Sequence, residues 1–186
     1  MITFENDFST AMEMMRRVEP FYDARNRWVA RGWRAENINI NFMRENNGLM
    51  ESDFYVAMFN GESVDGGFPA PQGGRKKPIG AFVAYPAERT ADLYRDFGVK
   101  IDFSGAMFLG RVAFVDSDHH FGMVNEIADA LKKWARSRGY KSIVGDAGER
   151  QVALRRFYGM LGAVAVDSFI GADKNKWIVY QYGIKK

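Results

Sequence analysis

A predicted strand-to-helix junction at residues 114–125 contains the residues of this sequence best suited to hold an anion. The apolar run AMFLGRVAFV ends there, and an amphipathic helical pattern begins near Gly122. The first turn of a helix presents backbone N–H groups without intrahelical partners and the positive end of the helix dipole, and both attract phosphate. Gly122 would allow a close approach to the backbone, and His119 would add a donor. The alternative is an ordinary helix start capped by Asp118.

A tyrosine near the end of a later helix is the second group with chemical potential. The segment RQVALRRFYGMLGA predicts a helix that ends at Gly162, and Tyr158 lies four residues before that glycine. A phenol can donate a proton or a hydrogen bond to a group that develops negative charge. Packing beside Phe157 and Leu161 is the alternative role for this tyrosine.

Asp116, Asp118, His119 and His120 bring metal-ligand residue types close together in sequence. Adjacent histidines point in different directions, and the chain has neither an i, i+4 histidine pair nor a cysteine to complete a zinc shell. The sequence therefore predicts no metal site. The basic segment GGRKKP is interpreted as a solvated loop, so we expect nucleic acid not to be a partner.

The composition is that of one folded domain over residues 1–186. The chain has a net charge of +3 and no cysteine, and its 15 Phe, 8 Tyr and 4 Trp supply ample material for a single core. No apolar run is long enough to span a bilayer, and the acidic N-terminus MITFENDF does not resemble a signal peptide. We expect a soluble, cytoplasmic protein with no membrane partner.

The apolar patterns predict an α+β fold. A strand at 106–115, buried on both faces, is followed by a helix over 122–138 and a parallel strand at 142–147. Trp134 lies on the apolar side of the helix and is expected to be largely buried. Gly110, inside the first of these strands, indicates a bulge. The other predicted elements are a strand at 2–4, helices over 8–18 and 21–33 interrupted at Pro20, a hairpin of strands at 53–61 and 79–86, a short helix within 88–98, a helix over 150–162, and strands at 163–169 and 177–183.

The junction and the Tyr158 helix together resemble the GCN5-related N-acetyltransferase (GNAT) family. In that family a buried strand leads into a loop of the form Arg/Gln-x-x-Gly-x-Gly/Ala, and a later helix carries Asn-x-x-Ala-x-x-x-Tyr-x-x-x-Gly-Phe. This sequence keeps Gly122, Tyr158 and Gly162 at those spacings, and its predicted order of elements agrees with the family over nearly the whole chain. It differs in carrying His119, Val124, Gln151, Leu154 and Ala163 at five of the motif positions.

The resemblance implies a central mixed, mostly antiparallel sheet with one parallel βαβ unit and helices on both faces. It implies acetyl-CoA as co-substrate, with Tyr158 as the general acid and the bulge at Gly110 aiming N–H groups at the thioester carbonyl. The residues it assigns to acetyl-CoA binding are Phe114, Val115, Asp116, His119, His120, Phe121, Gly122, Met123, Val124, Asn125 and Gln151.

The implied activity is transfer of an acetyl group to an amine that the sequence does not identify. Asp116, Asp146 and Glu149 are equivalent candidates for the general base, because each lies near the carboxyl end of a central strand. The alternative is a catalytically degenerate protein of the same fold with a structural or interaction role. A phage protein or virion component that forms homo- or hetero-oligomers would be of that kind.

Overall fold

The structure is a computed structural model that describes residues 1–25, 49–60, 76–114, 121–171 and 174–184. Its strands are β1 (Ile2–Glu5), β2 (Phe54–Phe59), β3 (Lys77–Pro86), β4 (Ala106–Phe114), β5 (Ser142–Gly148), β6 (Val164–Ile170) and β7 (Lys176–Gly183). Its α-helices are α1 (Phe8–Arg25), α2 (Ala91–Asp96), α3 (Phe121–Ser137) and α4 (Val152–Leu161). Short 3₁₀ turns at Glu51–Asp53 and Ala87–Thr90 precede β2 and α2.

The seven strands of the described residues form one sheet in the order β1-β2-β3-β4-β5-β7-β6. Neighbouring strands run antiparallel, except that β4 and β5 are parallel and are connected through α3. This arrangement confirms the predicted hairpin of β2 and β3, the βαβ unit and the two closing strands. Antiparallel neighbours need only short connections, whereas the parallel pair needs the crossover that α3 supplies.

Helices cover both faces of the sheet, as predicted. On one face, called here the α1/α2 face, the core includes Met15 of α1, Tyr94 of α2 and strand residues such as Val144. On the opposite face, the α3/α4 face, Leu131 of α3 and Tyr158 of α4 pack on the sheet. Each central strand contributes to both clusters because successive side chains point to opposite faces.

Helix α3 shows the predicted apolar stripe and ends where expected. Ile127, Leu131 and Ala135 are buried, and Gly139 adopts the left-handed conformation, with φ of 81°, that ends many helices. Trp134, which was predicted to be largely buried, is partly buried and packs against the α3/α4-face core. Its ring lies at the edge of the stripe, where the guanidinium of Arg138 covers it 4.5 Å from the ring centroid.

Helix α1 begins as predicted but does not stop at Pro20. The Asp7 carboxylate accepts hydrogen bonds from the backbone N–H and the hydroxyl of Thr10, which makes Asp7 the N-cap. The helix then continues through Pro20 to Arg25, so the predicted interruption is wrong. A proline removes one intrahelical hydrogen bond and crowds the preceding turn, and a helix can continue beyond it with a kink. The rest of the predicted helix over 21–33 lies outside the described residues.

Candidate functional site

The two parallel strands at the centre of the sheet separate after three residue pairs. The ladder between β4 and β5 joins Ala106 to Ser142, Met107 to Ile143 and Phe108 to Val144, and ends there. Beyond that point β4 continues to Phe114 along β3, and β5 continues to Gly148 along β7. The result is a fork at the carboxyl ends of both strands, which is where open sheets of this type bind ligands.

A bulge in β4 lies at the start of the fork. The register with β3 shifts between the pairs Ala81–Ala113 and Val83–Gly110, so that β4 has one residue more than β3 in this interval. Arg111, in the extra segment, has a left-handed φ of 48°. A bulge bends its strand and increases the local twist, which turns β4 away from β5. The irregularity predicted from Gly110 is therefore present.

Tyr158 enters the fork from the α3/α4 face. Its side chain is 1% exposed, and its hydroxyl donates a 2.8 Å hydrogen bond to the backbone carbonyl of Leu109. The hydroxyl reaches this position because residue 145 is glycine: an added Cβ would lie 2.1 Å from the phenol oxygen. Burial, followed by the nearby Asp146 carboxylate, raises the pKa of Tyr158 well above its ordinary value. The phenol is therefore held in its protonated, donating form.

Asp146 approaches the same fork from the α1/α2 face. It follows Gly145 in β5, and the Tyr94 hydroxyl of α2 donates a 2.7 Å hydrogen bond to its Oδ2. Burial raises the pKa of Asp146, while the Tyr94 hydrogen bond and the Arg111 guanidinium oppose that rise. The carboxylate is thus a stronger base than a surface aspartate, and a positive group nearby favours its ionised form.

The described residues of the predicted acetyl-CoA site lie at the end of β4 and near the N-termini of two helices. Gly122 lies in the first turn of α3, and because α3 connects the parallel strands, that turn is on the side of the sheet where the fork opens. Val124 is partly buried against the α3/α4-face core, and Asn125 is exposed. Phe114 is the last residue of β4, and Phe121 and Met123 are in the first turn of α3. Val115, Asp116, Asp118, His119 and His120 lie outside the described residues.

Gln151 immediately precedes α4 and is buried at 8% exposure. Its Oε1 accepts a 2.8 Å hydrogen bond from the backbone N–H of Gly148, the last residue of β5. The side-chain oxygen therefore fixes the turn between β5 and α4. Contact with acetyl-CoA stays a prediction for this residue and for the other residues of the proposed binding set.

Three site residues, Gly145, Asp146 and Tyr94, were missed or left undistinguished at the level of sequence. Gly145 was read only as part of a strand, and Asp146 was one of three equivalent carboxylates. The Gly-Asp pair at the carboxyl end of an apolar strand was the available signal, because a glycine there admits another side chain. Tyr94 had no signal, since its proximity to Asp146 depends on how α2 packs across the sheet.

Among the residues that the structure describes, no group of three or more His, Asp or Glu side chains could hold a metal ion. None of the helices in the described ranges is both long and apolar enough to cross a membrane.

Comparison of the fold with solved structures identifies acetyltransferases. The aminoglycoside acetyltransferase AAC(6')-Ib, in a complex with coenzyme A and kanamycin, superposes with a TM-score of 0.62 at 14% identity, covering 98% of this chain and 95% of the other. Its complex with ribostamycin and coenzyme A gives the same TM-score and identity, with 93% of that chain covered. A GNAT-family acetyltransferase from Bacillus anthracis has a TM-score of 0.60 at 14% identity, covering 100% of this chain and 96% of the other.

No protein-family model and no curated protein matches the sequence significantly. The structural likeness spans nearly the whole chain, so the fold of this protein is the GNAT acyltransferase fold. At this level of identity the likeness establishes the fold alone.

Proposed function

We propose that this protein is an acetyl-CoA-dependent N-acetyltransferase that transfers an acetyl group to the amine of an acceptor. The single observation that carries the proposal is the fork itself, with the Tyr158 hydroxyl inside it at 2.8 Å from the Leu109 carbonyl. The Tyr158 hydroxyl fits between the two parallel strands only because residue 145 of β5 is a glycine, and such an arrangement is unusual in a protein core. It is an effective way to place a proton donor at the carboxyl edge of a sheet.

The fork also suits the shape and polarity of acetyl-CoA. Past Phe108 and Val144 the ladder between the strands has ended, so an extended amide-bearing arm can lie between them with strand-like hydrogen bonds. The first turn of α3, with Gly122 in it, offers N–H groups and a helix dipole to the pyrophosphate. We assign contact with the pantetheine arm to Phe114, the last residue of β4, and to Val115 and Asp116, which follow it in the sequence.

The reaction requires two proton movements around one acyl transfer. The amine nitrogen attacks the thioester carbonyl carbon, the C–S bond breaks, and the acetyl group passes to nitrogen. Tyr158 donates its proton, or a hydrogen bond, to the departing thiolate, and the proton lost by the nitrogen restores the phenol. Because burial keeps the pKa of Tyr158 high, the hydroxyl remains protonated through the neutral pH range.

Binding of the co-substrate is the first test, and a thermal-shift series with acetyl-CoA, coenzyme A and ATP provides it. A ligand at 100 times its dissociation constant stabilises the folded state by about 2.7 kcal/mol, and for a chain of this size each 1 kcal/mol raises Tm by roughly 2–4 °C. We expect acetyl-CoA and coenzyme A to raise Tm and ATP to have little effect. Millimolar acetyl-CoA without any shift, and without heat in a calorimetric titration, would refute the proposal.

The role of Tyr158 is tested separately with Tyr158→Phe. The substitution removes only the hydroxyl, so acetyl-CoA should still bind, and turnover measured by thiol release should fall by about 10²–10⁴-fold. Turnover unchanged from that of the wild type would make Tyr158 a packing residue.

One observation favours a second candidate, a protein that keeps this fold without catalysis. The Tyr158 hydroxyl already has a protein acceptor, the Leu109 carbonyl, so the fork has a satisfied polar contact of its own. A scaffold of this kind would bind neither acetyl-CoA nor coenzyme A in the thermal-shift series. The same experiment therefore separates the two candidates.

The acceptor is an amine in this proposal. Kanamycin and ribostamycin, both amine-bearing, are present in the complexes of the structurally similar AAC(6')-Ib, and they are suitable first probes. The proposal includes a cytoplasmic location, where acetyl-CoA is available as a substrate.

A further inference from the structure

We infer that Asp146, positioned by Tyr94, binds the amine of the acceptor as an ammonium group and accepts its proton, so that the acceptor is a cationic alkylamine. This inference rests on the proposed acetyltransferase function and specifies the substrate class of the same site. It begins from the juxtaposition of Gly145 and Asp146 at the base of the fork.

The first step is the position of the carboxylate. Val144 is the last residue of β5 that pairs with β4, so Gly145 and Asp146 are the first two residues inside the fork. Gly145 faces the α3/α4 side, where the Tyr158 hydroxyl lies against it. Because successive strand residues point to opposite faces, Asp146 faces the α1/α2 side. An acyl group in the fork would therefore have a phenol on one side and a carboxylate on the other.

The Asp146 carboxylate lacks a charged partner within the described part of the chain. Asp53 is the useful comparison, because it is a buried aspartate with a partner for each oxygen, whereas Asp146 is half-buried. The Oδ1 of Asp53 pairs with Arg89 at 2.8 Å, and its Oδ2 accepts the backbone N–H of Met50 at 2.8 Å. Both oxygens of Asp53 have a donor, as expected of a structural carboxylate. Asp146 makes no ion pair within the described part of the chain, and the Tyr94 hydroxyl donates to Oδ2 alone.

An alkylammonium group would provide Oδ1 with the charged donor that Asp53 has and Asp146 lacks. A charge-assisted hydrogen bond of this kind is about twice as strong as a neutral one. Four groups on neighbouring elements influence Asp146 or its partners: Tyr94 on α2, Tyr85 on β3, Arg111 on β4 and Tyr158 on α4. Three are neutral phenols whose pKa values burial raises, so Arg111 is the only cation among them.

Tyr94 is the positioning residue of this pair. Its ring is fixed among Phe103 and Phe169, with centroid separations of 5.4 and 5.5 Å, and its side chain is 4% exposed. A hydroxyl held this rigidly sets the rotamer of the carboxylate to which it donates. Its hydrogen bond also lowers the pKa of Asp146, so it keeps the carboxylate ionised before the acceptor arrives.

The proton balance agrees with the placement of the two groups. The ammonium gives one proton to Asp146, and the resulting free amine attacks the thioester. The second proton leaves the nitrogen after attack and replaces the one that Tyr158 gives to the thiolate. Asp146 then releases its proton to water, so the net change is one acetyl group transferred and one proton released.

The test compares Asp146→Asn with wild type in thiol-release assays on four amines. Kanamycin, ribostamycin and spermidine carry ammonium groups at pH 7, and p-anisidine is a neutral arylamine. We expect wild type to acetylate at least one of the cationic amines. The asparagine variant should lower kcat/KM for it by about 10²–10³-fold, the range of a lost general base. The dissociation constant of acetyl-CoA should stay within about twofold, because the substitution is isosteric.

Two further variants separate catalysis from structure. Tyr94→Phe should move the acidic limb of the kcat/KM–pH profile to higher pH, because it removes a hydrogen bond that lowers the pKa of Asp146. A merely structural role for Tyr94 would lower stability without moving that limb. Asp92→Asn is the matched control: Asp92 is on the same helix, its side chain is 89% exposed, and its loss should leave kcat/KM unchanged.

Four results would overturn the inference. They are an asparagine variant within threefold of wild type, a preference for p-anisidine, an unmoved acidic limb in Tyr94→Phe, and a wild-type protein that binds acetyl-CoA but neither binds nor acetylates any of the three cationic amines. A protein that does not bind acetyl-CoA at all refutes the proposed function instead. Calorimetric titration of acetyl-CoA distinguishes the two failures.

Discussion

Replacing Gly145 by alanine adds one methyl group at the base of the fork, directly after the last β5 residue that pairs with β4. The new Cβ would lie 2.1 Å from the Tyr158 hydroxyl oxygen, 2.7 Å from the ring carbon that bears it, and 2.5 Å from the Leu109 carbonyl oxygen. All three distances are shorter than any real contact, and one of the obstacles is backbone. The tyrosine must therefore move, or β4 and β5 must separate further.

The cost of that movement has two parts. Overpacking a filled core costs about 1–3 kcal/mol. Losing the hydrogen bond between Tyr158 and Leu109 adds about 0.5–1.5 kcal/mol, and more if the carbonyl stays buried without a donor. We therefore expect Gly145→Ala to lower the free energy of unfolding by about 2–4 kcal/mol, which corresponds to a fall in Tm of roughly 4–16 °C for a chain of this size.

Gly159→Ala provides a control of the same chemistry one residue away from Tyr158. Gly159 lies within helix α4, and an added Cβ there meets no atom within 4 Å. Alanine is the better helix former by about 1 kcal/mol, so this variant should be as stable as wild type or slightly more stable. Urea unfolding followed by circular dichroism measures both variants under one set of conditions.

The turnover of the two glycine variants should differ as their stabilities do. If Tyr158 must sit in the fork to donate its proton, Gly145→Ala should reduce turnover to the level of Tyr158→Phe, and Gly159→Ala should not change it. A Gly145→Ala protein with wild-type stability would show that the fork opens at little cost. Retained stability together with full turnover would refute the reasoning that Gly145 exists to admit the phenol.

The remaining predictions concern packing and pH. Trp134→Ala should lower the free energy of unfolding in urea by about 2–4 kcal/mol, somewhat less than for a fully buried tryptophan, because the ring is partly exposed. The ring still contacts Phe4 and Tyr55, with centroid separations of 5.5 and 4.8 Å. A loss below about 1 kcal/mol would show that these contacts are not stabilising. Asp146→Asn should be at least as stable as wild type at pH 7, because burial raises the native pKa of Asp146 above its ordinary value and deprotonation therefore disfavours the folded state. Below the pKa that Asp146 has in the unfolded chain, the wild type keeps the full stability that this carboxyl group provides, and it loses that stability as the pH rises through the native pKa. The difference in unfolding free energy between wild type and Asp146→Asn should therefore be small at pH 3.5 and largest near neutrality. An asparagine variant that is less stable at pH 7 would indicate a structural carboxylate.

The sequence by itself determined the elements and the plan of the sheet. The apolar stripe of α3, Gly139 after it and the near-continuous apolar run of β4 are local signals, and each predicts its element from neighbouring residues alone. Gly110 marked the bulge in the same way, because a glycine inside a strand has few other uses. A parallel pair connected by one helix then left few topologies open.

The interruption of α1 at Pro20 was the main error among the elements. Proline carries a strong local penalty, but whether a helix stops or continues is decided by what the helix as a whole packs against. Met12 and Met15 of α1 are buried against the sheet, and this tertiary contact stabilises the helix that Pro20 disfavours. Helical periodicity gave the direction of the Trp134 side chain, which packs against the α3/α4-face core as expected.

Only the tertiary structure decided the composition of the candidate site. Tyr158 was named from its spacing to Gly162, yet the sequence gives no sign that its hydroxyl meets Leu109, 49 residues away, or that Gly145 makes the space for it. The sequence offers Asp146, Asp116 and Glu149 equally as general bases. Asp146 is distinguished by the hydrogen bond that its carboxylate accepts from the Tyr94 hydroxyl, 52 residues away in the chain. Secondary structure follows from interactions within a few residues along the chain, whereas a site depends on contacts between distant segments, which form only when the sheet and its helices pack together.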